Sequence, residues 1–236
     1  MDIILALTKE LNVEKWQIEA AVKLIDEGNT IPFISRYRKE VTGALNDEVL
    51  RNLNDRLTYL RNLEEKKTQV LSSIEEQGKL TEELKKQILE AQTLVVVEDL
   101  YRPYRPKRRT RATIAKEKGL EPLANIILLQ MTDKSLEEEA KAFVSEEKEV
   151  TTVEAAISGA KDIVAESISD KADYRSEIRE CTFRKGMLVS TAKKPEETSV
   201  YEKYYEYEER VEKMPGHRVL AINRGEKEKF LGVKIE

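Results

Sequence analysis

The sequence has very little of the chemistry from which metal centres and disulfide scaffolds are built. Its 236 residues include one cysteine, Cys181, and one histidine, His217. A single cysteine cannot form an internal disulfide, so the chain is not a disulfide scaffold of the secreted kind. A zinc site needs several sulfur and nitrogen ligands, so we expect no bound metal. We interpret Cys181 as a helix residue in a reducing cytoplasm.

Motifs that bind nucleotides or catalyse hydrolysis are also missing. The sequence has no phosphate-binding loop, no dinucleotide fingerprint, no HExxH and no GxSxG. His217 has no nucleophile or acid at a spacing that would make it a catalytic base, and we interpret it as structural. We therefore expect neither enzymatic activity nor a cofactor.

Turn-forming residues and long apolar runs are scarce. Nine glycines and six prolines are few for a protein built of many short strands, so the composition favours long helices. The first residues are apolar but lack a basic flank and soon meet Lys9 and Glu10, which excludes a signal peptide or a membrane span there. We expect a cytoplasmic protein with no membrane partner.

Apolar residues recur at helical spacing from Ile3 to about residue 186. Two short helices are predicted before Gly28, and PFISRYRKEV is predicted to form a third that ends before Gly43. This layout resembles a helix-turn-helix. The small basic cluster of Arg36, Arg38 and Lys39 could then face DNA, but we favour an ordinary solvated face.

The clearest pattern is a leucine repeat that begins at Leu50. No glycine or proline interrupts residues 47–77, which predicts one helix about 45 Å long. Only two clean heptads precede the charged Glu64 and Lys67, so we favour an intramolecular helix pair over a coiled-coil dimer. Thr81 is predicted to begin the partner helix, which continues through the β-branched run LVVVEDLY to Leu100.

The later chain is predicted to change character after Gly186. Capping patterns at Ser135 and Thr151 predict further helices up to that residue. LVSTA is strand-like, and RVLAIN and FLGVKIE together could form a hairpin. The tyrosines at positions 201, 204, 205 and 207 do not share one helical face, so we expect them to pack against a neighbouring element. The last strand-like run reaches Glu236 directly, so we expect the chain to be part of a longer protein.

Residues 101–111, YRPYRPKRRTR, form the strongest candidate binding site and are called the basic segment here. The segment has six basic residues and no acid, whereas the whole chain carries −4, so the remainder carries about −10. Pro103 and Pro106 disfavour helix and predict an extended loop. Arginines interleaved with tyrosines suit phosphate contact and base stacking. The alternative is that individual arginines pair with acids on neighbouring helices.

Several long strings resemble the N-terminal region of the bacterial Tex family. They are IPFISRYRKEVTGAL at 31–45, the leucine-repeat region at 50–84, EDLYRPYRPKRRTRATIAKEKGLEPLA at 98–124 and HRVLAINRGEKEKFLGVKIE at 217–236. The resemblance implies a cytosolic nucleic-acid-binding protein related in architecture to transcription elongation factors. It also implies that HRVLAINRG is helical. The family's YqgF-type, helix-hairpin-helix and C-terminal OB-type RNA-binding modules have no counterpart here, so their binding residues cannot be carried over.

We therefore predict a mostly α fold: a multi-helix N-terminal scaffold with a helix-turn-helix-like portion and a small mixed α/β C-terminal tail. Its domains are residues 1–186, a helical Tex-like region, and 187–236, a mixed segment that would lead into a YqgF-like domain. The predicted function is a non-catalytic scaffold of a transcription accessory protein that binds RNA, with DNA as a further partner. The alternative is a protein-interaction scaffold that docks an acidic partner of the transcription machinery. The predicted nucleic-acid-binding residues are Arg102, Tyr104, Arg105, Lys107, Arg108, Arg109 and Arg111.

Overall fold

The computed structural model describes residues 2–236 and divides the chain into two compact units, Met1–Pro106 and Lys107–Glu236. Thirteen helices and one three-stranded antiparallel sheet lie within the described residues, and 64% of the structure is helical. The mostly α fold is therefore confirmed. The predicted domains, 1–186 and 187–236, follow the change from helix to mixed structure and stay a prediction.

The first unit is entirely helical and is built around one long helix. Its helices are α1 (Ile3–Leu11), α2 (Lys15–Asp26), α3 (Ile31–Tyr37), α4 (Lys39–Thr42), α5 (Asp47–Glu76), α6 (Glu82–Glu90) and α7 (Leu94–Tyr101). Asn46 begins α5 as predicted, since its side chain accepts a hydrogen bond from the Val49 amide at 2.8 Å.

The leucine stripe of α5 forms the core of this unit. Leu50, Leu53, Leu57 and Leu60 are buried, and helices α1, α2, α3, α6 and α7 all contact α5. The apolar face is therefore covered by helices of the same unit, as the intramolecular interpretation predicted. Burying each such leucine stabilises the fold by roughly 1.5–3 kcal/mol relative to leaving it exposed.

Lys67 interrupts the apolar stripe of α5 but is buried all the same, with 1% of its surface exposed. Its ammonium donates to Glu64 Oε1 and to the Leu89 carbonyl, both at 2.9 Å. Leu89 lies in the last turn of α6, where carbonyls have no partner within the helix and a cation is favoured. A residue that looked like a break in the pattern therefore fastens α6 to α5.

Two predicted helices are broken where the sequence gives no glycine or proline. The third short helix ends at Tyr37, Arg38 leaves helical geometry, and α4 is a separate turn. The partner of α5 ends at Glu90, and Thr93 then caps α7, whose β-branched residues are helical as predicted. Val95 lies after this second break and is exposed, whereas its helical spacing from Leu84 and Ile88 had predicted that it shares their buried face.

The second unit combines five helices with a small sheet and a final helix. Its elements are α8 (Arg111–Glu117), α9 (Glu121–Leu129), α10 (Leu136–Lys141), α11 (Val153–Asp170), α12 (Ala172–Lys185), β1 (Met187–Ala192), β2 (Glu206–Arg210), α13 (Gly216–Lys227) and β3 (Leu231–Ile235). Ser135 caps α10 as predicted, but Thr152 rather than Thr151 caps α11.

Helix α11 packs closely on α8 and on the start of α9 because its inner face is made of small residues. Ala156 and Ala160 are fully buried on this face. A Cβ atom on Gly159 would lie 2.4 Å from Leu120 Cδ1 and 3.3 Å from Ala115 Cβ. Glycine at this position therefore permits the approach that brings α11 next to the basic segment.

The sheet has the strand order β2–β1–β3, and both pairings are antiparallel. The strand prediction for LVSTA is confirmed, but the hairpin of RVLAIN with FLGVKIE is wrong, since RVLAIN lies in α13 and β3 pairs with β1. The family resemblance had implied this helix. Ile222 and Gly225 of α13 pack under the sheet, where a Cβ on Gly225 would lie 2.6 Å from Leu231 Cδ1.

Candidate nucleic-acid interface

The basic segment is a turn followed by irregular chain, not one extended loop. Tyr101 ends α7, and its carbonyl accepts from the amides of Tyr104 at 2.9 Å and Arg105 at 3.0 Å. The chain then runs without regular structure to Thr110, whose hydroxyl accepts from the Thr113 amide at 3.1 Å and begins α8. The sharp turn at the first proline was not predicted from the sequence.

The boundary between the two compact units falls inside this segment, between Pro106 and Lys107. Of the predicted site residues, Arg102, Tyr104 and Arg105 belong to the first unit. The other four, Lys107, Arg108, Arg109 and Arg111, belong to the second. Each half is therefore positioned by the helices of its own unit.

In the first unit, the two tyrosines of the segment are held by α5. The Tyr101 hydroxyl lies 3.0 Å from Ser73 Oγ, and the Tyr104 carbonyl accepts from Gln77 Nε2 at 3.0 Å. Both rings are half-buried and pack against the core of the unit. Less of their surface is open to a base than the alternation of tyrosine and arginine indicated.

Arg105, the last arginine of the segment in the first unit, is exposed and weakly paired. Its side chain is 67% exposed and lies 4.0 Å from Glu98 Oε2, at the limit of an ion pair. Glu98 is closer to Lys66, at 2.6 Å. Arg105 is thus free to exchange its weak contact for another anion.

In the second unit, Lys107 fastens the segment to the C-terminal end of α11. Its ammonium pairs with Asp170 and lies 3.4 Å from Glu166 Oε1. Glu166 also accepts a hydrogen bond from Thr110 at 3.1 Å. Because Lys107 is only 29% exposed and its two acids less so, we expect this cation to hold the segment in place, and its predicted contact with nucleic acid stays a prediction.

Among the described residues, acids hold the other second-unit arginines of the basic segment, Arg108, Arg109 and Arg111, loosely or not at all. Arg109 lies 2.7 Å from Glu117, and Arg111, whose side chain is 86% exposed, lies 3.6 Å from Asp162. Exposed ion pairs of this kind contribute only about 0–1 kcal/mol and weaken with salt. Arg108 is exposed and forms no ion pair or hydrogen bond within residues 2–236.

The acids that receive the segment share one face of α11. Asp162, Glu166 and Asp170 are spaced by four residues, so they line one side of the helix and are called the acidic stripe here. The stripe meets Arg111, Lys107 and Thr110 in turn. From the sequence we considered pairing with acids in general but missed the four-residue spacing of these three acids. That spacing was the signal that could have identified them.

The smaller basic cluster lies at the junction of α3 and α4. Residues 33–43 are called the α3–α4 corner. Arg36, Arg38 and Lys39 are exposed, and none forms an ion pair with an acid in the described part of the chain. The Arg38 guanidinium instead lies 5.1 Å from the centre of the Phe33 ring. The cluster that looked weaker in the sequence therefore has the freer cations.

The tyrosines of the tail pack in one core with residues of the sheet and of α13, as the packing interpretation predicted. Tyr207 donates a hydrogen bond to Glu209, which Arg218 also contacts at 2.9 Å. Burial, followed by the bond to Glu209, raises the pKa of Tyr207. The bond from Tyr207, followed by the bond from Arg218, lowers the pKa of Glu209. These groups form a structural network at the edge of the sheet.

Two properties of the described residues bear on other kinds of site. Within residues 2–236 no helix is both long enough and apolar enough to cross a membrane. The same residues contain no group of three or more His, Cys, Asp or Glu side chains that could hold a metal ion.

The fold and surface define a class: a helix-rich scaffold region with a small appended sheet and exposed arginines. The sequence matches the Tex-like protein N-terminal domain over residues 1–75 and the Tex central region-like family over residues 132–236. The chain belongs to the Tex family, of which it forms the N-terminal region. The basic segment lies between the two matched ranges.

Relatives align over nearly the whole chain. It is 49% identical over 233 residues to the uncharacterized protein YdcI of Bacillus subtilis, covering 98% of this chain and 32% of YdcI. It is 41% identical over 238 residues to the transcriptional accessory protein Tex of Neisseria gonorrhoeae, covering 100% of this chain and 31% of that protein. The human S1 RNA-binding domain-containing protein 1 is 31% identical over 243 residues, covering 99% of this chain and 24% of the relative. The chain thus spans about a third or less of these relatives' length.

Proposed function

We propose that this chain is a non-catalytic scaffold of a transcription accessory protein and that it contacts the phosphate backbone of RNA through the basic segment. The observation that carries the proposal is that Arg108 is exposed, has no partner among residues 2–236, and is followed by two arginines that only surface acids hold. A relative named as a transcriptional accessory protein and another named for an RNA-binding domain support this direction.

The energetics favour exchange of these arginines from protein acids to phosphate. The pairs of Arg109 and Arg111 are exposed, so breaking each costs about 0–1 kcal/mol. For each phosphate of a single strand that the protein neutralises, the slope of the logarithm of the binding constant against the logarithm of the salt concentration becomes more negative by about 0.7. Three arginines acting together would therefore give a slope of about −2 with single-stranded RNA and about −2.7 with duplex DNA, which also serves as a partner because the contact reads no base.

The second candidate is a protein-interaction scaffold that docks an acidic partner of the transcription machinery. One observation favours it specifically. Tyr101 and Tyr104 are held by α5, so the basic segment offers guanidinium groups without freely stacking rings. An acidic protein surface needs only the charges.

The test compares a triple variant, Arg108→Ala with Arg109→Ala and Arg111→Ala, with the unaltered chain. Fluorescent single-stranded RNA and duplex DNA are titrated at about 50 and 200 mM salt. Lys107 is kept because it fastens the segment to α11. The matched control is Lys134→Ala with Lys141→Ala and Lys161→Ala, three exposed lysines of the same unit that remove the same charge.

Salt-sensitive RNA binding that the triple variant loses and the control keeps would support the proposal. Equal binding by both variants would refute the segment as the contact. If RNA binding is absent while an acidic transcription protein binds and the triple variant abolishes that binding, the second candidate replaces the first. Crosslinks from a thiouridine-labelled RNA, mapped by mass spectrometry, would identify the contacting residues directly.

A further inference from the structure

The cations of the α3–α4 corner have no acid partner among the described residues, although the chain is rich in acids. The sequence contains 45 acidic residues, and most cations of the basic segment contact one. Arg36, Arg38 and Lys39 contact none within residues 2–236. Their charge is therefore not offset by a direct contact and is available to an outside anion.

Exposed aromatic rings accompany these cations. The Tyr37 side chain is 67% exposed at the end of α3, and its ring centre lies 5.4 Å from that of Phe33. Trp16 of α2 is also exposed and lies at the other end of the corner, against Gly43. Open rings beside unpaired arginines are typical of surfaces that stack unpaired bases while binding phosphate.

The corner is held rigidly although its side chains are open. Gln17 of α2 donates to the carbonyls of Thr42 and Gly43, at 3.2 and 3.1 Å. Gly43 has a φ of +62°, and a Cβ there would lie 2.5 Å from both Gln17 and the Trp16 ring. Ile34 is fully buried beneath the surface. Rigid presentation reduces the ordering cost of binding.

We propose that the α3–α4 corner is a separate contact site for single-stranded nucleic acid. Tyr37 stacks on an unpaired base, while Arg36 and Lys39 contact the flanking phosphates. The site rests on the proposed nucleic-acid function of the chain but not on the basic segment.

The geometry favours a single strand over a duplex. Reading a major groove requires a helix that lies along it, but the break at Arg38 leaves α4 with four residues, only about 6 Å long. An exposed ring, in contrast, gains its full stacking contact only from a base outside a duplex. An acidic peptide would use the cations and leave the Tyr37 ring without a defined partner.

The test uses the full 236-residue chain and a fluorescent twelve-nucleotide oligouridine at about 50 and 200 mM salt. The charge variant is Arg36→Ala with Lys39→Ala. Its matched control is Lys85→Ala with Lys86→Ala, two exposed lysines of α6 in the same unit. Tyr37→Ala removes the ring and so tests stacking, and Tyr37→Phe keeps the ring and removes only the hydroxyl. Circular dichroism melts verify that each variant is folded.

We expect the charge variant to make the salt slope shallower by about 1.4, since two phosphate contacts are lost, and to weaken binding roughly tenfold at low salt. Tyr37→Ala should weaken binding roughly tenfold, whereas Tyr37→Phe should stay within about twofold of the unaltered chain. The control pair should bind like the unaltered chain.

The outcomes separate the corner from the basic segment. If the corner variants lose oligouridine binding while the triple variant of the basic segment binds normally, the corner is supported as a contact site and the basic segment is refuted as one. If only the triple variant of the basic segment loses binding, the corner is refuted as a contact site. If both sets of variants lose binding, both sites are supported. Absence of any binding would overturn the corner together with the proposed function. The corner proposal would also be overturned if duplex bound more tightly than the single strand and Tyr37→Ala left that binding unchanged. Binding of polyglutamate as tight as that of the oligouridine would overturn it as well.

Discussion

The basic segment has more cations than the α3–α4 corner, but a larger share of its cations is paired with acids in the described structure. The segment has six cations in eleven residues, yet Lys107, Arg109 and Arg111 are each paired with an acid of α8 or α11. The corner has three cations and no paired one in the described residues. The density of charge in a sequence therefore does not measure the charge that a surface offers.

The difference arises from what packs beside each region. Helix α11 lies next to the start of α8 because its small residues allow close approach, and it brings the acidic stripe with it. The corner packs through neutral groups, namely Gln17, Trp16 and main-chain carbonyls of its own turn. An anion from outside thus competes with protein acids at the segment, whereas no described acid is paired with the cations of the corner.

The largest effect should come from Lys107→Ala, which we expect to lower the free energy of unfolding by about 1–2 kcal/mol. The change leaves Glu166 and Asp170 partly buried without their shared cation. Denaturant unfolding followed by circular dichroism measures the loss. Arg108→Ala is the control and should change stability by less than about 0.5 kcal/mol, because the side chain is exposed and has no partner among residues 2–236.

If Lys107→Ala instead leaves stability unchanged and weakens RNA binding as strongly as Arg108→Ala does, the distinction between paired and unpaired cations fails. Lys107 would then act as a phosphate contact like its neighbours.

Removing the acidic stripe should convert the segment into a surface more like the corner. The variant is Asp162→Asn with Glu166→Gln and Asp170→Asn. Freed from these acids, the segment should bind single-stranded RNA roughly five- to tenfold more tightly at low salt, with a steeper salt dependence. Fluorescence titration at two salt concentrations measures both quantities.

The control for the stripe is Glu137→Gln with Glu138→Gln and Glu154→Gln, exposed acids of α10 and α11 that change the net charge equally. An equal rise in affinity in both variants would show a general charge effect and would contradict local competition by the stripe.

Much of the fold was predictable because local patterns determine it. The leucine spacing and the Asn46 cap predicted α5, and the helical reading of LVVVEDLY was confirmed. The breaks at Arg38 and before Thr93 were missed, since no glycine or proline marks either of them in the sequence. The hairpin error has a similar origin, because alternation predicts a strand but does not identify its partner.

The candidate site was predictable only in part, for a related reason. The run of cations is visible in the sequence, but Asp162 and Asp170, which receive two of them, lie more than fifty residues later. Their relevance depends on α11 packing beside the segment. The assignments of Arg102, Tyr104 and the other predicted contacts to nucleic acid stay predictions that the binding experiments test.

The smallest effect should come from Glu117→Gln, which removes the acid that Arg109 contacts in the described part of the chain, at 2.7 Å. Both side chains are exposed, so the pair contributes at most about 1 kcal/mol and its loss should change stability very little. Arg109 becomes as free as Arg108, and RNA affinity should rise about twofold at low salt. The double variant Glu117→Gln with Arg109→Ala should lose this gain, since the gain acts through that arginine. A rise that persists without Arg109 would mean that Glu117 repels the RNA directly, and pairing would then not be what separates the segment from the corner.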